Sequence, residues 1–185
     1  MHVTIARTAT GSTCATIRRA DGVVLELPGY DRKFRVPHDL AHAVTERALG
    51  LSRGVFGSIA GGGVFDNMRV VAGRRPRHDA AERSRRLLAA NKAELNQAEL
   101  IAGIMHDGVE HHVDPLPRAK EAWRAFMTDP FPWPDDEFRA VAGALAALAD
   151  AYNETGRVEL TWPTRLTSPV PPVAAEHARG RRGRQ

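Results

Sequence analysis

The sequence predicts an α+β fold in which a small, mainly antiparallel sheet packs against four or five helices. Short segments near the N-terminus alternate polar with apolar residues, as half-buried strands do. Later segments place apolar residues three or four positions apart, as amphipathic helices do. A last alternating segment, residues 158–162, is expected to return to the N-terminal strands and complete the sheet.

The predicted sheet begins with short segments at the N-terminus. Residues 3–5 alternate, and residues 14–17 follow a Gly-Ser turn. Asp21-Gly22 is a strong signal for a two-residue hairpin turn, and residues 23–27 form the strand that follows it. Residues 34–36 are expected to add a short last strand.

Pro37 marks the change from strand to helix. Its fixed φ and missing N–H suit the first turn of a helix, which Gly50 is expected to stop. A short helix is predicted over residues 55–60. The basic segment 69–78 holds a proline and indicates a loop, whereas the apolar spacing of residues 79–106 predicts one long helix.

This long helix is expected to break, if anywhere, at Gly103 and to end by Gly108. A shorter helix follows over residues 117–127. Asp135 then caps a helix with a continuous apolar stripe, and Gly156 ends it. The sequence thus predicts a single domain, residues 1–167, followed by a Pro- and Arg-rich tail, residues 168–185, that is expected to be disordered.

The net charge of +4 is concentrated at the C-terminus. Residues 176–185 hold four arginines and one glutamate, so this segment carries +3 and the remaining residues only +1. A nearly neutral domain argues against a basic nucleic-acid-binding face, although the tail could contact nucleic acid. No secretory signal or apolar run of membrane-spanning length is present, and there is one cysteine, so we expect a cytoplasmic protein without a membrane partner.

Two further patterns have a functional and a structural interpretation. Gly61-Gly62-Gly63 could bind phosphate through backbone amides, but no lysine with serine or threonine follows, which favours a turn with close backbone packing. The arginines of residues 74–77 could contact phosphates, and a solvated loop is the simpler interpretation.

The strongest functional signal is a pair of histidines, His38 and His42, in the helix that Pro37 opens. Positions i and i+4 lie on one face of a helix about one turn apart, so both imidazoles can reach the same metal ion. The alternative is that both histidines are structural.

The stretch from His38 to His42 resembles the His-Glu-x-x-His signature of zincin-type metallopeptidases, also in a sheet-then-helix context. The resemblance implies a zinc site and peptidase chemistry. Asp39 stands where zincins have the glutamate that acts as general base, and it is one methylene shorter. The segment from Val36 to Phe65 also resembles a pattern in bacterial proteins that implies no particular function.

A third ligand must come from outside this helix. His38 and Glu46 are about 12 Å apart along the helix axis, which is too far for Glu46 to join comfortably. Glu99, which would give a gluzincin-like set, and His106 are the leading choices. Glu46 is expected to act in catalysis or to orient one of the imidazoles. The other candidate ligands are Glu82, Glu110, His111 and His112.

Three hypotheses follow. The first is a zinc-dependent hydrolase, acting on a small molecule or peptide, in which Asp39 or a nearby glutamate takes a proton from metal-bound water. The second is a non-catalytic interaction protein with structural histidines, whose tail binds an acidic partner or nucleic acid. The third is an acid/base pair of Asp39 and His42 without metal. A homodimer is compatible with each of them.

Overall fold

The computed structural model describes residues 1–29, 33–74 and 78–172, and it confirms the α+β class. Five strands form one antiparallel sheet in the order β4-β3-β2-β1-β5. The strands are β1 His2–Arg7, β2 Thr13–Arg18, β3 Val23–Pro28, β4 Arg69–Gly73 and β5 Arg157–Thr161. The helices are α1 His38–Leu49, α2 Val55–Ala60, α3 Ala80–Ala90, α4 Lys92–Glu110, α5 Leu116–Phe126 and α6 Asp135–Thr155, and a 3-10 turn follows at Thr164–Leu166.

One face of the sheet is buried against the helices. Val3 of β1 lies opposite Ile17 of β2 and Leu160 of β5, and all three side chains are buried in the same hydrophobic core. Because side chains alternate between the two faces of a strand, this register places the apolar set of each strand on one side. The predicted return of the last strand to the N-terminal sheet is confirmed, as is the hairpin between β2 and β3.

The predictions for two segments beside the sheet were wrong. Residues 69–73, predicted as part of a loop, form the edge strand β4, whose five residues are all exposed and therefore lack the alternation that marks a half-buried strand. Residues 34–36 form no strand. The amides of Arg35 and Val36 donate instead to the carboxylate of Glu110, at 3.1 and 2.8 Å.

The long helix predicted over residues 79–106 is two helices, so the described residues contain six α-helices. The break lies at Asn91, not at Gly103. Asn91 is buried, and its side-chain amide donates to Ser58 Oγ at 3.0 Å and to Ser168 Oγ at 2.8 Å. These bonds fix the junction between α3 and α4. The second helix continues past Gly108, where a Cβ would come within 2.8 Å of Pro115.

Helix α1 is the central helix of the structure. It packs against α2, α4 and α6, and residues 40–46 are all buried. Gly50 ends the helix in the left-handed conformation, as predicted. A helix buried on every side must pair its polar groups within the protein, because water cannot reach them. This requirement applies directly to His42 and Glu46.

Within the described ranges, no helix is long and apolar enough to span a membrane. Ser168, the first residue of the predicted tail, is buried and its amide donates to the Gly57 carbonyl at 3.0 Å. The basic part of the tail, residues 176–185, lies outside the described residues.

Candidate metal centre

Three side chains predicted as metal ligands converge in the structure. His38 and His42 of α1 and Glu99 of α4 each offer one ligand atom, and these atoms all lie within 4.8 Å of one another. His42 is buried, while His38 and Glu99 are exposed. The cluster therefore has a closed side, formed by His42, and a side that faces solvent.

The two histidines meet because of helical spacing. His38 is the first residue of α1 and His42 follows one turn later, so their ring centroids are 4.7 Å apart. Glu99 belongs to a different helix, and the packing of α1 against α4 brings its carboxylate to the pair. His42 Nε2 and Glu99 Oε2 are 3.3 Å apart.

Glu46 fixes the orientation of the His42 ring from the protein interior. Its Oε1 lies 3.0 Å from His42 Nδ1 and also accepts the Val55 amide at 3.0 Å, while Oε2 accepts the Phe56 amide at 2.9 Å. A carboxylate accepts hydrogen bonds, so Nδ1 carries the proton and Nε2 points to the cluster. Glu46 is completely buried and is a positioning residue for His42.

Gly54 makes room for this buried carboxylate. A Cβ on Gly54 would lie 2.5 Å from Glu46 Oε2 and 3.0 Å from the Ala98 Cβ. The absence of a side chain lets the first amides of α2 reach Glu46. The support of His42 thus depends on α1, on α2 and on the glycine before α2.

The two carboxylates change the protonation of His42. Burial lowers its pKa, but the hydrogen bond to Glu46 and the Glu46 and Glu99 carboxylates beside the two ring nitrogens outweigh burial and raise the pKa to about 10. The contact with His42 correspondingly lowers the pKa of Glu99, against the opposing effect of burial. In the metal-free protein His42 is therefore a cation held between two carboxylates.

The spacing of the cluster suits a tetrahedral metal ion. Bond lengths of about 2.0–2.2 Å to nitrogen and oxygen place two ligands of a tetrahedral site about 3.3 Å apart. His42 Nε2 and Glu99 Oε2 already have this separation, and Nε2 is buried without a well-aligned hydrogen bond. All ligand atoms lie within 4.8 Å of one another, so an exposed side chain needs to move by no more than about 1.5 Å to complete the set.

His106 lies beside the cluster and is not part of it. Its Nε2 is 2.9 Å from the Val36 carbonyl oxygen, to which it can only donate. Its ring centroid is 6.1 Å from that of His38 and 5.2 Å from that of Phe34. His106 was predicted as a possible ligand, but the structure gives this place to Glu99.

Asp39, the predicted catalytic base, also lies outside the cluster. Its Oδ2 is 3.6 Å from the point where a Gly29 Cβ would be, and its charge contributes, after burial and Glu26, to the raised pKa of Cys14. These contacts place the Asp39 carboxylate toward the start of β2 and the end of β3.

The other candidate ligands have different positions. Glu110 accepts the two backbone amides that precede α1, and Glu82 pairs with Arg85 on the surface. His111 and His112 are exposed and do not join the cluster. Of all the acids and histidines considered from the sequence, only Glu99 meets the His38 and His42 pair.

No family model, curated protein or solved structure matches this chain. The interpretation of the cluster therefore depends on its geometry alone. Gly54 and the amides of Val55 and Phe56 belong to the site but were not predicted, because the Gly54-Val55-Phe56 segment has no local pattern that indicates a carboxylate partner.

Proposed function

We propose that this protein is a zinc-dependent hydrolase whose metal ligands are His38, His42 and Glu99. The observation that carries the proposal is the convergence of two imidazoles and one carboxylate, with Glu46 holding Nδ1 of the buried imidazole. Two histidines and a glutamate are a ligand set of catalytic zinc sites, which leave a fourth position for water or substrate. The exposed side of the cluster supports such an open position.

The surrounding residues support a division of roles. When bound, zinc would acidify a water molecule and polarise a carbonyl or phosphoryl oxygen. Glu46 holds the His42 tautomer, and zinc would take the place of the proton on Nε2. The His106 ring lies beside that of His38, with 6.1 Å between the ring centroids. Its Nε2–H is donated to the Val36 carbonyl and its Nδ1 lies 3.5 Å from Asp107 Oδ1, so Nδ1 is the nitrogen that would exchange a proton, with Asp107 beside it.

The catalytic role of Asp39 stays a prediction, and so does the acid/base pair of Asp39 and His42. In the structure His42 is paired with Glu46 and Glu99. The interaction hypothesis depends on residues 176–185, which lie outside the described residues. The convergence of His38, His42 and Glu99 favours the metal-dependent hydrolase.

Metal content tests the first step of the proposal. We expect about one zinc ion per chain in protein purified without chelator, and loss of most of it in His38→Ala and Glu99→Gln. Both residues are exposed, so these variants are expected to fold. His111→Ala, an exposed histidine outside the cluster, is the matched control and should keep its metal. Wild-type protein that stays metal-free during zinc titration would refute the site.

Hydrolysis tests the second step. We expect zinc-loaded protein to cleave at least one of a set of activated esters and fluorogenic peptides, and the metal-free protein to be inactive. His106→Gln should lower kcat more than zinc affinity if His106 accepts a proton. A zinc-loaded protein inactive on every substrate would leave a structural metal site and would count against the hydrolase assignment.

A further inference from the structure

A second candidate site lies away from the cluster and shares no residue with it. A cavity of about 330 Å³ is lined by the turn between β2 and β3, the end of α2, the residue after β4 and the first turns of α3. Among the described residues that line it, three are arginines, Arg19, Arg74 and Arg83, and Asp21 is the single acidic one. Three guanidinium groups against one carboxylate give this described lining a net charge of +2.

Arg19 supplies the most unusual charge in this cavity. Its side chain is only 7% exposed. Nε and Nη2 donate to the Asp21 carboxylate, whereas Nη1 is buried and has no hydrogen-bond partner in the part of the chain that the structure describes. A buried guanidinium normally satisfies its donors, because leaving them unpaired costs free energy. Asp21, at 53% exposed, is a weak counter-charge for a cation that is almost fully covered.

The other two arginines are held at the cavity by the backbone. The Arg74 amide donates to the Gly22 carbonyl at 2.8 Å, which fixes the end of β4 beside the hairpin turn. The Arg83 amide donates to the Asp79 carbonyl at 3.0 Å in the first turn of α3. Among the described residues, no carboxylate forms an ion pair with either side chain. Both positive charges are therefore available to a ligand.

The glycines that follow α2 leave space beside the cavity but offer no free amide to a ligand. The amides of Gly61, Gly62 and Gly63 all donate to carbonyls of α2, so no phosphate-binding loop is formed. This confirms the turn predicted from the sequence. Gly62 has a φ of +110° and open space where a side chain would be, so it leaves the wall of the cavity clear.

We propose that this cavity binds the phosphate group of a small phosphorylated molecule. Guanidinium groups match the oxygens of a phosphate through paired N–H donors, and a lining charge of +2 balances a phosphate dianion. The volume exceeds that of a phosphate ion and leaves room for a small organic group, within the range of ligand pockets. The proposal is independent of the zinc site.

Inorganic phosphate titrated into metal-free protein tests the proposal by calorimetry, with chloride at equal ionic strength as the reference. We expect saturable binding of one phosphate per chain and at least a fivefold weakening in each of Arg74→Gln and Arg83→Gln. Arg85→Gln is the matched control, because Arg85 lies on α3, is 76% exposed and does not line the cavity. It should change binding less than twofold.

Several results would overturn the proposal. Absence of saturable binding, or equal weakening in Arg85→Gln and Arg83→Gln, would show that phosphate responds only to overall charge. If acetate binds as tightly as phosphate, the cavity does not select a phosphate group and a carboxylate would be its ligand. Ribose 5-phosphate should bind at least as tightly as inorganic phosphate, and weaker binding would exclude a phosphorylated organic ligand of that size. Arg19 is left unchanged in these tests because it is buried.

Discussion

Replacement of Glu46 by glutamine tests the support of the metal centre with the smallest change of shape. The Glu46 carboxylate accepts the Nδ1–H of His42 and two backbone amides, from Val55 and Phe56. A glutamine keeps one acceptor oxygen, but its NH₂ group faces at least one of these donors. Hydrogen bonds to a charged group contribute about 1.5–3 kcal/mol each. We therefore expect Glu46→Gln to lower the free energy of unfolding by about 2–4 kcal/mol.

Metal affinity should fall in the same variant. The charged acceptor that fixes the His42 tautomer becomes a neutral amide, and loss of such an outer carboxylate typically weakens metal binding about 10–100-fold. Urea denaturation gives the stability change, and competition with a chromogenic chelator gives the zinc dissociation constant. Typical domains have about 5–15 kcal/mol of stability, so the variant should remain folded for both measurements.

Glu94→Gln is the matched control for this prediction. Glu94 lies on α4, which packs against α1, and forms a surface ion pair with Arg53. This pair is expected to contribute less than about 1 kcal/mol to the free energy of unfolding. If Glu46→Gln behaves like Glu94→Gln in stability and in zinc affinity, Glu46 does not position His42.

Three further predictions concern Gly54, His42 and Asn91. Gly54→Ala should destabilise the protein by more than 1 kcal/mol in urea, because its Cβ would lie 2.5 Å from Glu46, whereas Gly143→Ala, in open space on α6, should be neutral or stabilising. The pKa of His42 is raised from 6.5 to about 10, so its contribution to the stability of the metal-free protein is complete below pH 6.5 and is lost as the pH rises to 10. The loss should be a few kcal/mol. The same pH profile of stability in His42→Asn would refute this prediction. Asn91→Ala should cost about 1–3 kcal/mol in urea, and an unchanged midpoint would contradict the role of its two side-chain hydrogen bonds.

Local signals account for the parts of the structure that the sequence predicted. Pro37, the i, i+4 histidine pair and Gly50 all act within one helix, and the structure has that helix where the signals place it. The hairpin at Asp21-Gly22 is equally local. In contrast, β4 is exposed along its whole length, and its pairing with β3 leaves no periodic signal in its own residues.

The sequence narrows the third metal ligand to a few acids and histidines but does not identify which of them it is. Which acid of the long helical segment reaches His42 depends on where that segment breaks, and Asn91 sets the break through bonds to Ser58 and Ser168. Ser168 lies far along the chain from the helices that it joins. The same holds for Glu46, because its partners are backbone amides of α2, which no side-chain pattern reveals.

Replacement of His38 distinguishes a metal centre from a purely structural histidine cluster. Glu46 satisfies Nδ1 of the buried His42, and Nε2 faces a Glu99 side chain that is 56% exposed. An ion pair to so exposed a carboxylate contributes little, so the Nε2 side is the weakly satisfied side of a buried imidazole. If His42 were only structural, replacing His38 would leave the zinc content of the protein unchanged. Because a shared ion needs ligands from both turns of the helix, the metal centre requires that His38→Ala lose its zinc.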